Sequence, residues 1–452
     1  MFKHNTHWFA LWCIIISLPV FCVSQSAQAY PSVYPTGVTR YDPEKAYNTY
    51  TLLPLVSNYG AATDVARSPE PARLIDMNGN VVHAWKVSSW QRYRLHPGTC
   101  NLSLIEESEQ AGLNHIVDYD WNSKELWRWR PQQSGIGGRM SARQSHLLHH
   151  DFERLADGST LVMYTVQVPQ EILATVRNVD YPYFGKINRE GIQLIGDELA
   201  YVTPAGDITW TWAAHDHIDV NDFMPGWKRL IDWSHGNSAR VIPENRWHDA
   251  GDQRFKPGNV VYNTRNLPHF WVIDKDSGEV VYKGAHQYLG GFAGQHEAHM
   301  IAPGLPGAGN FLIFDNGAYS PDEAHHGKSL IVEIDPSTNR IVWKYETAGR
   351  TLRFHSHSRG SVQRLPNGNT LISEDNTGRI FQVRPDDNHP DGGKIVWEYV
   401  AFNSDQKPLW SLARAQAYPY DYCDRFADLP RSELKVTPPD ADTWKLKPDV
   451  LR

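Results

Sequence analysis

Cysteine is scarce in this chain, with four in 452 residues, and two of them, Cys13 and Cys22, sit in an apolar leader. Cys100 and Cys423 remain, without the paired spacing that holds zinc, which excludes a cysteine metal site. Basic residues are in deficit: 44 Lys and Arg stand against 51 Asp and Glu. That disfavours a nucleic-acid partner, because binding a phosphate backbone needs a basic surface. Beyond the N-terminus no apolar run approaches the about 20 residues of a membrane span. No low-complexity linker interrupts residues 30–452. The length would allow two or three domains, but a continuous repeat argues for one large one.

At the N-terminus, Lys3 is the only clearly charged residue before an apolar stretch over 10–23, and Ala27-Gln28-Ala29 offers a small-residue cleavage site. We read residues 1–29 as a secretory signal peptide and 30–452 as the mature protein, periplasmic or secreted and with no membrane anchor after cleavage. In an oxidising compartment Cys100 and Cys423 form one disulfide; the alternative is two unpaired buried thiols. Such a long-range closure contributes roughly 3–5 kcal/mol in the chain-entropy model. The 17 Trp and 21 Tyr suit strand-rich packing and also clefts that take phenols or sugars, so they select no ligand.

What the chain does contain is repetition. A turn of Ile-Asp or Thr-Pro type, a Gly or Asn, two β-branched residues and a Trp or Tyr recur at 74–85, 117–127, 202–210, 272–282, 333–343 and 382–397. Each copy reads as a β-hairpin with a polar tip, several about one propeller blade apart. A second phrase, a Pro/Asp-Gly/Asn turn before an apolar strand, alternates with the first at 95–105, 155–163, 306–313 and 365–372. A fifth copy begins at Ile242-Pro243 and has its partner strand, 259–262, delayed by an insertion. Two hairpins per blade give an all-β propeller of four-stranded blades. The count is six, one blade being closed by strands from both chain ends; the long stretch between Tyr164 and Gly196 leaves seven open.

Polar clusters precede the second-phrase turns at a shared offset. His149 lies seven residues before Ala156, His235 eight before Pro243 and Arg359 seven before Pro366; His296 and His299 lie seven before Pro303 and Pro306. Equivalent positions in successive blades surround the pseudo-axis, so these side chains line one site at the ends of the innermost strands. Glycine beside three of the clusters permits close backbone approach there. A histidine ring could bind zinc, but with Arg359 among its members an anion is the more natural guest. His215-Asp216-His217 reads as structural and His325-His326 as exposed.

Several phrases on this ring resemble those of the bacterial aryl-sulfate sulfotransferases, which need no nucleotide sulfate donor. They are Ala72 to His83, His149-His150-Asp151-Phe152, Asp232-Trp233-Ser234-His235-Gly236-Asn237-Ser238, Gly294-Gln295-His296, Phe314-Asp315-Asn316-Gly317 and Gln363 to Ile372. The resemblance runs over about residues 35–400 and implies a six-bladed periplasmic propeller. It also implies ping-pong transfer, in which a histidine takes the sulfuryl group and passes it to a phenol. Neutral imidazole can attack sulfur, a second histidine can shuttle the phenolic proton, and a cation must hold the sulfate oxygens. His235 and His296 match the family's active-site histidines, and the nucleophile falls on His357 or His355, with His357 preferred. The family's arginine shortly after Phe-Asp-Asn-Gly is missing, since Gly317 leads to Ala318-Tyr319-Ser320; Arg359 or Arg265 could supply that charge. Substrate binding falls to Arg265, His149, His150, Asn237 and His299. The reading requires no metal and no cofactor, takes an aryl sulfate and a phenol as small-molecule partners, and leaves monomer and homodimer open. Two rivals remain: a polysaccharide lyase or hydrolase using His, Tyr and Arg on an anionic sugar, and a propeller that binds a ligand without turnover.

Overall fold

Alternating β-branched and aromatic residues between polar tips produce strands, and each hairpin read from the repeat forms. A computed structural model describes residues 36–54, 71–87, 89, 92–106, 114–132, 147–176, 180–181, 185–186, 194–222, 232–284, 291–318, 320, 326–347, 354–402, 412 and 414–438. Their strands make six four-stranded antiparallel blades in a ring, a six-bladed β-propeller. The expected leader lies outside the described residues.

From the innermost strand outward, the second blade is Tyr93–Leu95, Leu102–Glu106, His115–Tyr119 and Glu125–Trp129, and the third is Leu148–Arg154, Thr160–Gln167, Ile195–Val202 and Ile208–Ala213. The fourth is Gly236–Val241, Val260–Thr264, Phe270–Ile273 and Val280–Gly284, and the fifth is Glu297–Met300, Phe311–Asp315, Leu330–Asp335 and Arg340–Tyr345. The sixth runs Ser361–Arg364, Thr370–Glu374, Arg379–Pro385 and Gly393–Val400, with Gly37–Tyr41 added as a fifth outer strand. The first blade closes the ring: its inner strand, Gln416–Tyr418, comes from the C-terminal end and pairs with Tyr50–Leu53, followed by Ala72–Ile75 and Val81–Trp85. The stretch between Tyr164 and Gly196 adds no seventh blade. Its flanking strands pair directly, from Thr160 with Val202 to Gln167 with Ile195, and the helix Gln170–Leu173 and a two-residue ladder lie between them.

The outer hairpins share their details. Each shifts register by a bulge just before its tip, at Leu74/Ile75, Asp118/Tyr119, Tyr201/Val202, Val272/Ile273, Glu333/Ile334 and Gln382/Val383. A bulge tightens the twist and re-aims the strand end. Where the phrase carries aspartate, its carboxylate folds the tip: Asp76, Asp120 and Asp274 each accept two backbone N–H groups of the following turn.

Indole and phenol groups near the end of each phrase then latch one blade to the next. Trp129, Trp212 and Trp343 donate at 2.9 Å to Gly206 O, Gly278 O and Gly392 O, and Trp397 donates at 2.8 Å to Met77 O. Tyr282 OH does the same to Asn339 Oδ1 at 2.9 Å, and His83 Nε2 lies 3.0 Å from Trp121 O at the remaining junction. In the third blade the latch is made two residues beyond the repeat's own Trp210, and in the second blade Trp127 joins Trp129 in it, donating to Pro204 O at 3.0 Å. Apolar clusters fill the spaces between blades, with Trp85, Trp233 and Trp397 fully buried. Cys100 and Cys423 are disulfide-bonded across 323 residues of sequence, beside a bridge from Gly98 to Cys423. The bond clamps the tail that supplies the closing strand, a contribution of about 5 kcal/mol in the chain-entropy model. Among the described residues no helix is long and apolar enough to cross a membrane.

Candidate active site

One end of the inner strands is built from strained turns. His150, His235, Arg359 and Arg414 adopt left-handed backbone, with φ of 61°, 47°, 60° and 65°, at or just before the inner strands of the third, fourth, sixth and first blades. A non-glycine residue in that region costs about 1–3 kcal/mol, and persists only where its surroundings over-determine it. Here buried carboxylates do so by gripping backbone N–H groups. Asp197 accepts from Gly236 N at 2.6 Å, and Asp375 Oδ2 accepts from both Gly360 N and Arg414 N at 2.9 Å. Gly236 leaves no room for a side chain, since a Cβ there would fall 2.4 Å from Met163 Sδ.

These turns bring imidazoles together. The rings of His150 and His235 meet edge to face with centroids 4.8 Å apart. Asp232 stands behind His235 and contacts its Nδ1. His149 lies behind His150, with their Nδ1 atoms 2.7 Å apart and His149 Nε2 3.0 Å from Asp197 Oδ1. Burial would raise Asp197, but His149, Ser234 and Tyr262 outweigh it and hold the carboxyl at about 2. His296 is buried, and its tautomer can be derived. Asn316 Nδ2 donates to Ser356 O and Arg359 O, both at 2.7 Å, which turns Asn316 Oδ1 towards His296 Nδ1 at 2.8 Å. Gly294 O is 2.9 Å from the same nitrogen. Facing two acceptors, Nδ1 carries the proton, so Nε2 keeps its lone pair.

Electrostatics favour the neutral form of His150, His296 and His357. Burial pushes His150 and His296 well below the ordinary histidine range, and further lowering comes from His235 and Arg414 for both and from Arg265 for His296. His357 is lowered by burial and then by Arg265, yet it remains exposed to solvent. His150, His235, His296, His357 and Arg265 therefore share one mouth. Arg265 belongs to the fourth blade, its N–H donating to His235 O at 2.9 Å.

Two arginines cross the axis beneath them. Arg92 Nε lies 3.0 Å from Asp151 in the third blade, and its Nη2 lies 2.6 Å from Glu297 in the fifth. Arg414, on the closing segment, reaches Asn237 O in the fourth blade, with Nη1 3.9 Å from Asp151 Oδ2. Burial, followed by the charge of Arg92, lowers the Arg414 guanidinium to about 10. With Arg94 also at Asp151 and Arg240 also at Glu297, four guanidinium groups surround two carboxylates and the floor of the mouth is cationic.

The other predicted residues sit around this centre. Asn237 points into the blade junction, donating to Gln295 O at 2.7 Å. His299 lies deeper, 3.6 Å from Glu297. Arg359, at the entry to the sixth blade, has Nη1 3.3 Å from Leu412 O on the segment leading to the closing strand, and its charge is felt by Asp375. His355 is half-buried, its ring 6.3 Å from that of His357. His217 stacks on Trp212 and His326 is exposed, as expected of structural and surface residues; His325 lies outside the described residues. Among the described residues no three His, Cys, Asp or Glu side chains are arranged to hold a metal.

Sequence reasoning missed Arg92, Arg414 and Asp232. Asp232 stood inside a phrase already singled out. Arg414 had no signal of the kind used, because the strand after Gln416–Tyr418 lies at the other end of the chain and no turn follows to measure from.

A family model described as arylsulfotransferase (ASST) matches residues 104–401, more than half of the chain. No curated protein sequence gives a significant match. Among solved structures, a Bacteroides caccae protein of unknown function is similar over 82% of this chain and 99% of its own, at 12% identity and TM-score 0.44. The periplasmic gluconolactonase of Pseudomonas aeruginosa is similar over 82% and 99%, at 11% identity and TM-score 0.40. Likenesses this distant carry no statement about chemistry.

Proposed function

This chain belongs to the arylsulfotransferase family, and from that premise we propose that it moves a sulfuryl group from an aryl sulfate to a phenol by a ping-pong reaction through a sulfohistidine. The observation that carries the reading is the mouth itself, where neutral imidazoles stand over a cationic floor with Asp232 placed behind His235. Guanidinium groups suit the sulfate oxygens of the donor. His357 is the nucleophile in this reading: it is accessible to two substrates in turn and is kept neutral beside Arg265. Its lone pair attacks sulfur, an N–S bond forms, the S–O bond to the aryl group breaks, and the phenolate leaves. His235 starts as an imidazolium stabilised by Asp232, gives the leaving phenolate its proton and stays neutral while the sulfuryl group rests on the nucleophile. It then takes the proton of the incoming phenol, whose oxygen bonds to sulfur as the N–S bond breaks. His296, whose Nε2 lone pair is fixed by Asn316, is the second candidate for the nucleophile.

We further propose export, with residues 1–29 as the signal, because the Cys100–Cys423 disulfide belongs in an oxidising compartment. Initial rates with a chromogenic aryl sulfate at several phenol concentrations test the transfer. Parallel double-reciprocal lines are expected; intersecting lines, or continued release of phenol beyond one equivalent per protein without an acceptor, would contradict it.

A further inference from the structure

We propose that Arg414, delivered by the ring-closing strand, is an anion-binding residue whose guanidinium holds the sulfuryl oxygens of the substrate. The inference deepens the reading above and rests on it for the identity of the anion. Arg414 lies outside the residues that the family model matches, so this part of the site belongs to the way this chain closes its ring.

Four observations converge on it. The guanidinium is buried, and Nη1 has no hydrogen-bond partner, the nearest carboxylate oxygen lying 3.9 Å away. A buried guanidinium nitrogen without an acceptor is costly, and an oxyanion would satisfy it. The surroundings also hold surplus positive charge. Arg92, Arg94 and Arg414 converge on Asp151, and Arg240 joins Arg92 at Glu297. Burial raises Asp375, the third carboxyl whose charge reaches Arg414, and raises Glu153, beside Arg94 and Arg240, to about 7, which leaves the guanidinium groups under-neutralised. The charge of Arg414 is felt by both His150 and His296, so it stands beside the imidazoles of the mouth. Finally, its left-handed backbone is gripped by Asp375, which fixes where the side chain starts. Arg359, one of the two arginines expected to supply this charge, turns instead towards Leu412 O and Asp375.

Since Arg414 lies on the segment that leads directly into Gln416–Tyr418, the inner strand of the first blade, anion binding and ring closure are linked, and each favours the other. Inorganic sulfate is the probe. Isothermal titration of the wild type, Arg414→Lys and Arg414→Ala should show sulfate binding weakened about tenfold or more by alanine, with lysine between the two. Should Arg414→Ala not fold, hydrogen exchange of the wild-type protein decides: saturating sulfate slows amide exchange over 414–418. A folded Arg414→Ala with wild-type affinity overturns the proposal. So does a wild type that binds no sulfate, or protection confined to 354–360. Turnover is not part of this readout. A protein that binds sulfate through Arg414 and transfers nothing would therefore refute the transferase alone.

Discussion

The outer hairpins of the propeller repeat six times with the same bulge and nearly the same latch, whereas the segments entering the inner strands differ from blade to blade. At the rim, left-handed non-glycine backbone is confined to the hairpin tips at Ser123 and Asn339, and hydrogen bonds are spent on joining neighbours. At the mouth, four non-glycine residues hold left-handed backbone, carboxylates are buried and two arginines cross the axis. Regularity makes the ring, and departures from it make the site. If so, changes at the rim alter stability with little effect on chemistry, and changes at the mouth do the reverse.

The largest separation is expected from His357→Ala, which should lower sulfuryl transfer by ~10³-fold or more and leave the melting temperature within a few degrees, since the side chain is exposed. Equal losses of activity and stability would break the comparison. Cys423→Ser joins the two regions. It should cost roughly 2–5 kcal/mol of stability and weaken sulfate binding as well, because the tail it releases carries the closing strand; both are read from melting curves with and without sulfate. Trp397→Phe removes a rim latch whose donor meets Met77 O at 2.8 Å. Leaving that carbonyl unpaired costs about 1–3 kcal/mol with kcat/KM unchanged. A matching fall in kcat/KM would show that the rim reaches the chemistry.

The acid limb sharpens the account further. His150, His296 and His357 are held below the ordinary histidine range in the folded protein. The unfolded chain takes up those protons near pH 6.5 while the folded chain does not, so stability falls as pH drops below that value. Transfer, which needs a neutral nucleophile, should hold to a pH below 6.5 before declining. A midpoint above 6.5 would contradict the shifts. The smallest effect is expected from His326→Ala, within about 0.5 kcal/mol and without loss of activity, because this histidine is exposed.

Most of the fold was legible because blades are written as periodic phrases: alternation sets the strands, and Asp or Asn-Gly sets the tips. For the same reason, the offset of His149, His235, His296 and Arg359 from their turns put them at one end of the inner strands. What stayed hidden depends on contacts across the ring. The partners of Arg92 are Asp151 and Glu297, the latter 205 positions away, and no local pattern encodes such a pairing. Arg414 lies in a blade whose strands come from both chain ends, so the ruler that found the other positions had nothing to measure against. Arg359 shows the converse. It sits at the right offset, but its side chain is drawn to the backbone of Leu412, a direction that spacing cannot report.

The central claim is that the mouth carries a sulfuryl group on histidine. Mass spectrometry of the mature protein after a single turnover with a chromogenic aryl sulfate tests it most directly. The account predicts one added sulfuryl group on the peptide holding His355 and His357, removed when a phenol is added. An adduct at His296 would move the nucleophile within the same mouth. Absence of any adduct, with no phenol released across a panel of aryl sulfates, would contradict the account.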